Sequence, residues 1–215
     1  MGKSLGGPFY HWVGRVGNTV GRVVNGVNVI AMAAARGHRV PSEAQLPVQL
    51  KVKLVTQFLS RVSPFIRVGF EDHAPGMSAW NAAVQYNLEN AVTGVYPALS
   101  IDYPQVLFSK GKLAMAAGLA WATTVDAQID LSWLASVPAY TPGAGTDKLA
   151  VLVYNPLEVN PFLVSVGDAV RSDLSFDMPV PATWSGQVVY VYVSFVSSDG
   201  KVTSTTQFAG AVEVQ

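Results

Sequence analysis

The sequence predicts an α+β fold, mainly β: a glycine-rich arm with a β-hairpin over residues 1–40, a segment with two helices over residues 41–98, and an antiparallel β-sandwich over residues 99–215. Three observations carry this reading. The opening is basic and poor in apolar bulk around Asn25-Gly26, an apolar repeat of four follows from Leu46 to Val62, and after about Leu99 the repeat shortens to two.

The arm holds Gly2, Gly6, Gly7, Gly14, Gly17, Gly21, Gly26 and Gly37, and its charged side chains (Lys3, Arg15, Arg22, Arg36 and Arg39) are all positive. β-Branched residues between Val16 and Met32 flank Asn25-Gly26, a dipeptide suited to a tight two-residue turn because both of its positions take positive φ. A segment with so little apolar bulk must lean on something else, either the rest of the chain or a neighbouring copy. The residues expected to make that contact are Arg15, Gly17, Val20, Gly21, Arg22, Asn25, Gly26 and Val29.

Pro41-Ser42-Glu43-Ala44-Gln45 reads as a helix start, with Ser42 and Gln45 spaced as a capping box. Leu46, Leu50, Leu54, Phe58 and Val62 form the apolar stripe, which leaves Lys51, Lys53, Gln57 and Arg61 for the wetter side. Pro47 falls in the first turn, where a missing N–H costs little, or moves the start to about Gln45. After a loop at Glu71-Asp72-His73-Ala74-Pro75-Gly76, Ser78 caps a second helix. Trp80, Val84, Leu88 and Ala91 should be its buried stripe and Gly94 its stop. The amides Asn81, Gln85, Asn87 and Asn90 are expected to bond nearby loops or backbone.

In the last part, Val125, Ala127, Ile129, Leu131 and Trp133 alternate with Asp126, Gln128, Asp130 and Ser132, a strand with one wet face. Residues 101–108 and 113–119 are earlier strand candidates, with Pro104 placing the first at an edge or bend. Residues 149–154 are apolar on both faces and should be central; residues 162–166 and 174–178 are shorter candidates. Residues 188–196 form the strongest strand, joined through Asp199-Gly200 to residues 202–207 and, past a kink at Gly210, to residues 208–214.

Composition narrows the functional classes. The absence of cysteine excludes disulfides, thiolate metal sites and a cysteine nucleophile, and it argues against an oxidising compartment. The net charge is zero but lopsided: residues 1–70 hold nine Lys or Arg against one acid, net +8, and residues 71–215 hold five against thirteen, net −8. The basic part therefore contacts nucleic acid or an acidic surface, or it packs against the acidic part of its own or another chain. The second reading is favoured because aromatic and basic residues do not interleave as on single-strand binding surfaces. Only 13% of residues are charged and half are apolar, which suggests that partner subunits cover some of the surface. Residues 27–35 start too late for a secretory signal and are interrupted by Asn28, and nothing is long and apolar enough to span a membrane. The chain is expected to be made in the cytoplasm.

No catalytic, cofactor-binding or metal-binding residue is assigned. Gly2-Lys3-Ser4 lacks the strand and first glycine of a phosphate loop, His11, His38 and His73 are too scattered for a helical metal pair, and no G-x-S-x-G elbow is present. Asp126 and Asp130 share a strand face and could meet Asp173 or Asp177 around calcium, but no loop of oxygen ligands has the required spacing, and a hydrated sheet face is the simpler reading. Trp133 and Trp184 could stack a sugar ring; filling the sandwich core is the commoner fate.

Two resemblances add to this. The placing of Trp133 in an early strand, Tyr154 in the next, and Tyr190-Val191-Tyr192-Val193 before a hairpin resembles a fibronectin type III or immunoglobulin-like domain over residues 101–215, which implies a sandwich and no particular activity. At closer to whole length, Gly14-Arg15-Val16-Gly17-Asn18-Thr19-Val20-Gly21, Gln45, Phe58, Asn81-Ala82-Ala83-Val84-Gln85-Tyr86-Asn87, Ser109-Lys110-Gly111, Thr146-Asp147-Lys148 and Trp184-Ser185-Gly186 resemble a family of uncharacterised bacterial proteins with a glycine-rich amino-terminal hairpin. That family is a domain of unknown function, so the resemblance implies no catalytic residue, and the chain departs from it at Tyr10-His11-Trp12, where smaller residues are expected.

The expectation is a non-enzymatic, self-assembling structural protein: a shell, tube or filament subunit of a phage-like, virion-like or surface assembly. Its partner is itself, through the arm, together with other assembly proteins. One alternative is an immunoglobulin-like binding module for glycan or protein, favoured if Trp184 is exposed beside a concave patch. Another is nucleic-acid binding through basic residues 1–70. An enzyme comes last and needs a pocket where His73 meets acidic groups.

Overall fold

Among the described residues, four short strands open the chain in a sheet of their own, and seven strands close it in a sandwich that carries three helices on one face. The computed structural model describes residues 2–4, 12–24, 26–34, 40–73, 76–135 and 141–215. The chain divides into two compact units, Met1–Ala44 and Gln45–Gln215.

In the first unit β1 (Gly2–Ser4), β2 (Gly14–Val16), β3 (Thr19–Val24) and β4 (Val27–Met32) lie in the order β1-β4-β3-β2, antiparallel throughout. The expected hairpin is β3–β4. Val24 stands opposite Val27, and Gly26 takes the positive φ, +76°, that the turn needs; Asn25 lies outside the described residues. A second hairpin, not foreseen, turns at Gly17 (φ +57°) and Asn18 and pairs Val16 with Thr19. Gly21 lets the segment at Trp12 cross the sheet: a Cβ there would sit 2.4 Å from the Trp12 carbonyl oxygen.

The second unit begins with α1 (Gln45–Ser60), which has Pro47 in its first turn, then α2 (Ser63–Gly69) and α3 (Ala79–Asn90). The apolar repeat ending at Val62 gave no sign of α2, whose start instead carries Pro64, a residue that suits a first helical turn. Ser78 caps α3 as expected, its hydroxyl accepting the Asn81 N–H at 3.2 Å. The buried face of α3 is rotated from the expected stripe: Ala82, Ala83 and Asn87 are buried, while Trp80, Val84 and Leu88 are half-buried. Small Ala83 allows close approach, and Asn87 has backbone to satisfy. Gly94 does not stop the helix, which ends at Asn90. It lies in the hairpin of β5 (Val92–Val95) and β6 (Ala98–Ile101), with φ +88° and the Ala98 carbonyl against it.

Residues 101–108 are not a strand. Pro104 enters a short 3-10 turn, Tyr103–Gln105, and the chain then runs past Asn87, whose side-chain amide takes the place of a neighbouring strand. It accepts the Leu107 N–H at 3.1 Å and donates to the Leu107 carbonyl at 2.9 Å. Beyond it, the Thr206 hydroxyl accepts the Ser109 N–H at 2.8 Å, and the Ser109 hydroxyl donates to the Ser204 carbonyl at 2.8 Å. Residues 203–206 serve that contact and form only isolated bridges, so the last strand starts at Gln207 rather than Val202.

The sandwich sets β7 (Ala117–Ala122), β8 (Gln128–Leu134) and β11 (Ser175–Pro179), in the order β11-β8-β7, against β9 (Lys148–Tyr154), β10 (Phe162–Val170), β12 (Val188–Val196) and β13 (Gln207–Glu213), in the order β10-β9-β12-β13. Three antiparallel strands thus face four, and the chain crosses repeatedly between the sheets, the arrangement expected of a fibronectin type III-like or immunoglobulin-like sandwich. Trp133, Leu131, Ile129, Val151, Val153, Val191, Val193 and Phe195 fill the space between the sheets. The outer face of the four-stranded sheet is covered in turn: Leu152 and Tyr192 pack with Val55, Leu59, Ile66, Phe70 and Phe108 from the helical layer. The fold is α+β, mainly β.

Asn87 offers a direct test. Asn87→Ala leaves the Leu107 N–H and carbonyl without their partners, and a buried polar group left unpaired costs about 1–3 kcal/mol. The urea midpoint of the full chain should fall accordingly with an unchanged slope, and an unaltered midpoint would count against this fastening.

Candidate functional site

The eight arm residues singled out from the sequence share one sheet but not one surface. Arg15 is exposed on β2, its Nε donating to the Gly17 carbonyl at 3.0 Å; Arg22 is exposed on β3; Gly17 and Gly26 are exposed at the two turns. Val20 is half-buried between Arg15 and Ala31, whereas Gly21 and Val29 are buried and Asn25 is outside the described residues. The exposed surface is completed by residues outside those eight: Val13, Val16, Val23, Val24 and Met32 are 66, 62, 49, 44 and 75% exposed. For the four valines the signal was legible as β-branched side chains on or beside short strands, in a segment lacking enough apolar residues to cover them. Among the described residues β2 pairs with β3 alone, so its outer backbone edge is open.

The titratable and aromatic groups of the second unit are committed to packing. Arg171 and Asp147 form a buried ion pair, with Nε donating to Oδ2 at 3.2 Å. The guanidinium also donates to the Ala114 carbonyl at 2.7 Å and lies 3.8 Å from the centre of the Phe195 ring, while the Arg171 carbonyl accepts the Trp133 indole N–H at 2.9 Å. Burial pushes the Arg171 pKa down and Asp147 pulls it back. The pair thus holds the segment before β7, the start of β9 and the end of β10 together. Trp133 and Trp184 are both buried in the sandwich core, so neither provides a sugar platform. Asp130 and Asp177 stand directly opposite each other on the outer face of β8 and β11. Hydrogen bonds from the Thr124 hydroxyl and the Gln128 amide hold the Asp130 carboxyl below the usual carboxylate range. Asp126 lies outside the strand, and no group of three or more His, Asp or Glu side chains suited to a metal ion occurs among the described residues.

Two clefts are chemically distinct. One, of about 420 Å³, is walled by Phe58, Tyr103, Tyr154 and Phe162 and rimmed by Arg61 and Glu158. Its rings pack on one another, Phe58 edge-on to Tyr154 at 5.0 Å and to Phe162 at 5.3 Å, which makes them the end of the helical core. Burial, and a hydrogen bond to Tyr103 that favours the protonated phenol, push the Tyr154 pKa well above that of a free phenol. The other, of about 390 Å³, lies beside α3, where the Lys110 ammonium sits 4.8 Å from the centre of the Tyr86 ring, with Asp72 and Glu89 at its rim.

With this geometry in hand, comparison with known proteins identifies a relation at the level of the family and nothing finer. A model described as a family of unknown function (DUF6266) matches residues 11–210. No curated protein matches. Among solved structures, the fibronectin type III domain of the human collagen alpha-1(XX) chain is similar at 14% identity and a TM-score of 0.36, over 47% of this chain and 85% of that one.

The ion pair yields a prediction about the body. Arg171→Met leaves the Asp147 carboxylate buried without its partner and should cost about 3–5 kcal/mol, the range for breaking one side of a buried pair. Replacing both, Arg171→Met with Asp147→Leu, should restore part of that loss in the same urea titration; a double variant less stable than the single one would contradict the assignment.

Proposed function

The chain belongs to the DUF6266 family, and on that premise we propose that it is a non-enzymatic, self-associating structural subunit whose N-terminal unit pairs with a neighbouring copy. One observation carries the reading. Among the described residues of the unit Met1–Ala44, Val29 is the large apolar side chain that is fully buried, while Val13, Val16, Val23, Val24, Met32 and Val40 stay exposed. Units of about 40 residues usually need disulfides, a metal or association to be stable. The chain has no cysteine to form a disulfide, and association is the route that uses both the exposed valines and the backbone edge of β2 that is open among the described residues.

Charge supports the same direction. The unit Met1–Ala44 holds five Lys or Arg against one acid, net +4, and Gln45–Gln215 holds nine against thirteen, net −4, so the basic leading unit of one copy is attracted to the acidic body of the next, while the chain as a whole is neutral. A repeating shell, tube or filament is the kind of assembly that such head-to-body contacts build when they do not close on themselves.

Full-length chain is expected to assemble in solution, and a chain lacking residues 1–44 to be a folded monomer, both read by light scattering with circular dichroism as the folding control. Equal masses for the two would sink the proposal. Salt gives a second check. Attraction between exposed charges is screened over about 10 Å at 0.1 M ionic strength, so the full-length particle should dissociate on raising the salt, and one that is unchanged or tighter at high salt would rule out the charge component.

A further inference from the structure

We infer that β10 is the receiving edge for the arm of a second copy; this rests on the arm-mediated association proposed above and names the surface that it uses. The sandwich leaves four strand edges open among the described residues: β11 and β7 on one sheet, β10 and β13 on the other. An open edge presents unpaired N–H and carbonyl groups, and proteins that must not pair there protect it with prolines, charges, bulges or a cover.

Three of the four carry such protection. β11 ends in Pro179 and has exposed Asp177 along it. β7 is interrupted by a register shift between Ala117 and Ala120, where Gly118 takes φ +59°. β13 is irregular opposite Val191 and Tyr192, and the Trp121 indole lies against it, so close that a Cβ on Gly210 would sit 2.6 Å from the ring nitrogen. β10 differs. It runs in unbroken register against β9 from Phe162 opposite Tyr154 to Val166 opposite Ala150, and its irregularity comes only after Val166. Residues 162–166 contain no proline, glycine or charge, and Val164 and Val166 are 43 and 48% exposed. β10 thus keeps a regular five-residue stretch, 162–166, free of proline, glycine, charge and bulge, with its safeguards (Gly167, Asp168 and the register shift) confined to the strand's far end, and such a stretch is what a strand-accepting surface requires.

The occupant is β2 of another copy. That strand is likewise an edge, with exposed Val16 at its end and exposed Val13 just before it, so pairing the two edges satisfies the backbone of both and covers valines of both. Charge favours the match: the arm has no acid before Glu43, and Glu158 and Asp168 flank the accepting stretch on its two sides.

Two variants of the full chain test this. Val164→Lys with Val166→Lys places charges on the accepting edge at half-exposed positions, and should reduce the particle to monomer mass at concentrations where the unmodified chain assembles, without changing the melting of the body. Because the chain has no cysteine, Val16→Cys chains can also be mixed with Val166→Cys chains and treated with a bis-maleimide. A covalent pair containing one chain of each kind is expected. Assembly that survives the lysines, no mixed pair, or links between Val166→Cys chains alone would overturn β10 as the receiving edge while leaving arm-dependent association standing. An unmodified chain that is monomeric would overturn that association as well.

Discussion

The second unit depends on β9 and β12 being covered on both faces. Alternate residues of these strands belong to different cores: Val151, Val153, Val191 and Val193 point between the two sheets, and Leu152 and Tyr192 point into the helical layer. A strand of this kind is stable only when both covers are in place, because losing either exposes a row of large side chains, each contributing about 1.5–3 kcal/mol through burial. The three-stranded sheet and the helices are therefore not separate additions to a sandwich. They are the two conditions under which its central strands stay out of water, and they explain why helices and strands from Gln45 onward form one compact unit.

A chain that must supply both covers has to pass from one side of the sheet to the other, and those passages cannot be strands everywhere. They are held by polar side chains that imitate backbone. Asn87 does this for Leu107, Thr206 for Phe108 and Ser109, and Arg171 for the carbonyls of Ala114 and Met115. Buried polar atoms are tolerable when paired and expensive when not, which is why these residues cluster at the seams between layers and why none of them is free for chemistry.

The first unit obeys the opposite rule. Its strands are short, and among the described residues its exposed valines outnumber its buried one and the outer edge of β2 is open, so its stability and its use are one question. The proposed function follows from that contrast: where the body satisfies itself, the arm does not.

Much of this was legible in the chain. Local signals gave the hairpin turn at Gly26, the Ser78 cap, the central character of residues 149–154 and the seven-stranded sandwich, because turn geometry, capping and side-chain alternation are encoded within a few residues. The strand read over residues 101–108, the stop read at Gly94 and the stripe read along α3 were revised by contacts from far away in sequence. Asn87 reaches twenty residues along the chain to Leu107, and the Thr206 hydroxyl meets Ser109 across ninety-seven. The arm residues were found as a segment but not as a surface, since which of Val16, Val20 and Val29 is exposed depends on strand register and on Trp12 lying over Gly21. The amino-acid order alone thus determined the β3–β4 turn, α1, the capped start of α3 and the main strands of the sandwich, and showed the leading segment to be poor in apolar bulk, while α2, the β2–β3 hairpin and the β5–β6 hairpin went unread. Tertiary packing decided which faces are buried, which polar groups stand in for backbone and which edge is left open, because those depend on partners that no local pattern names.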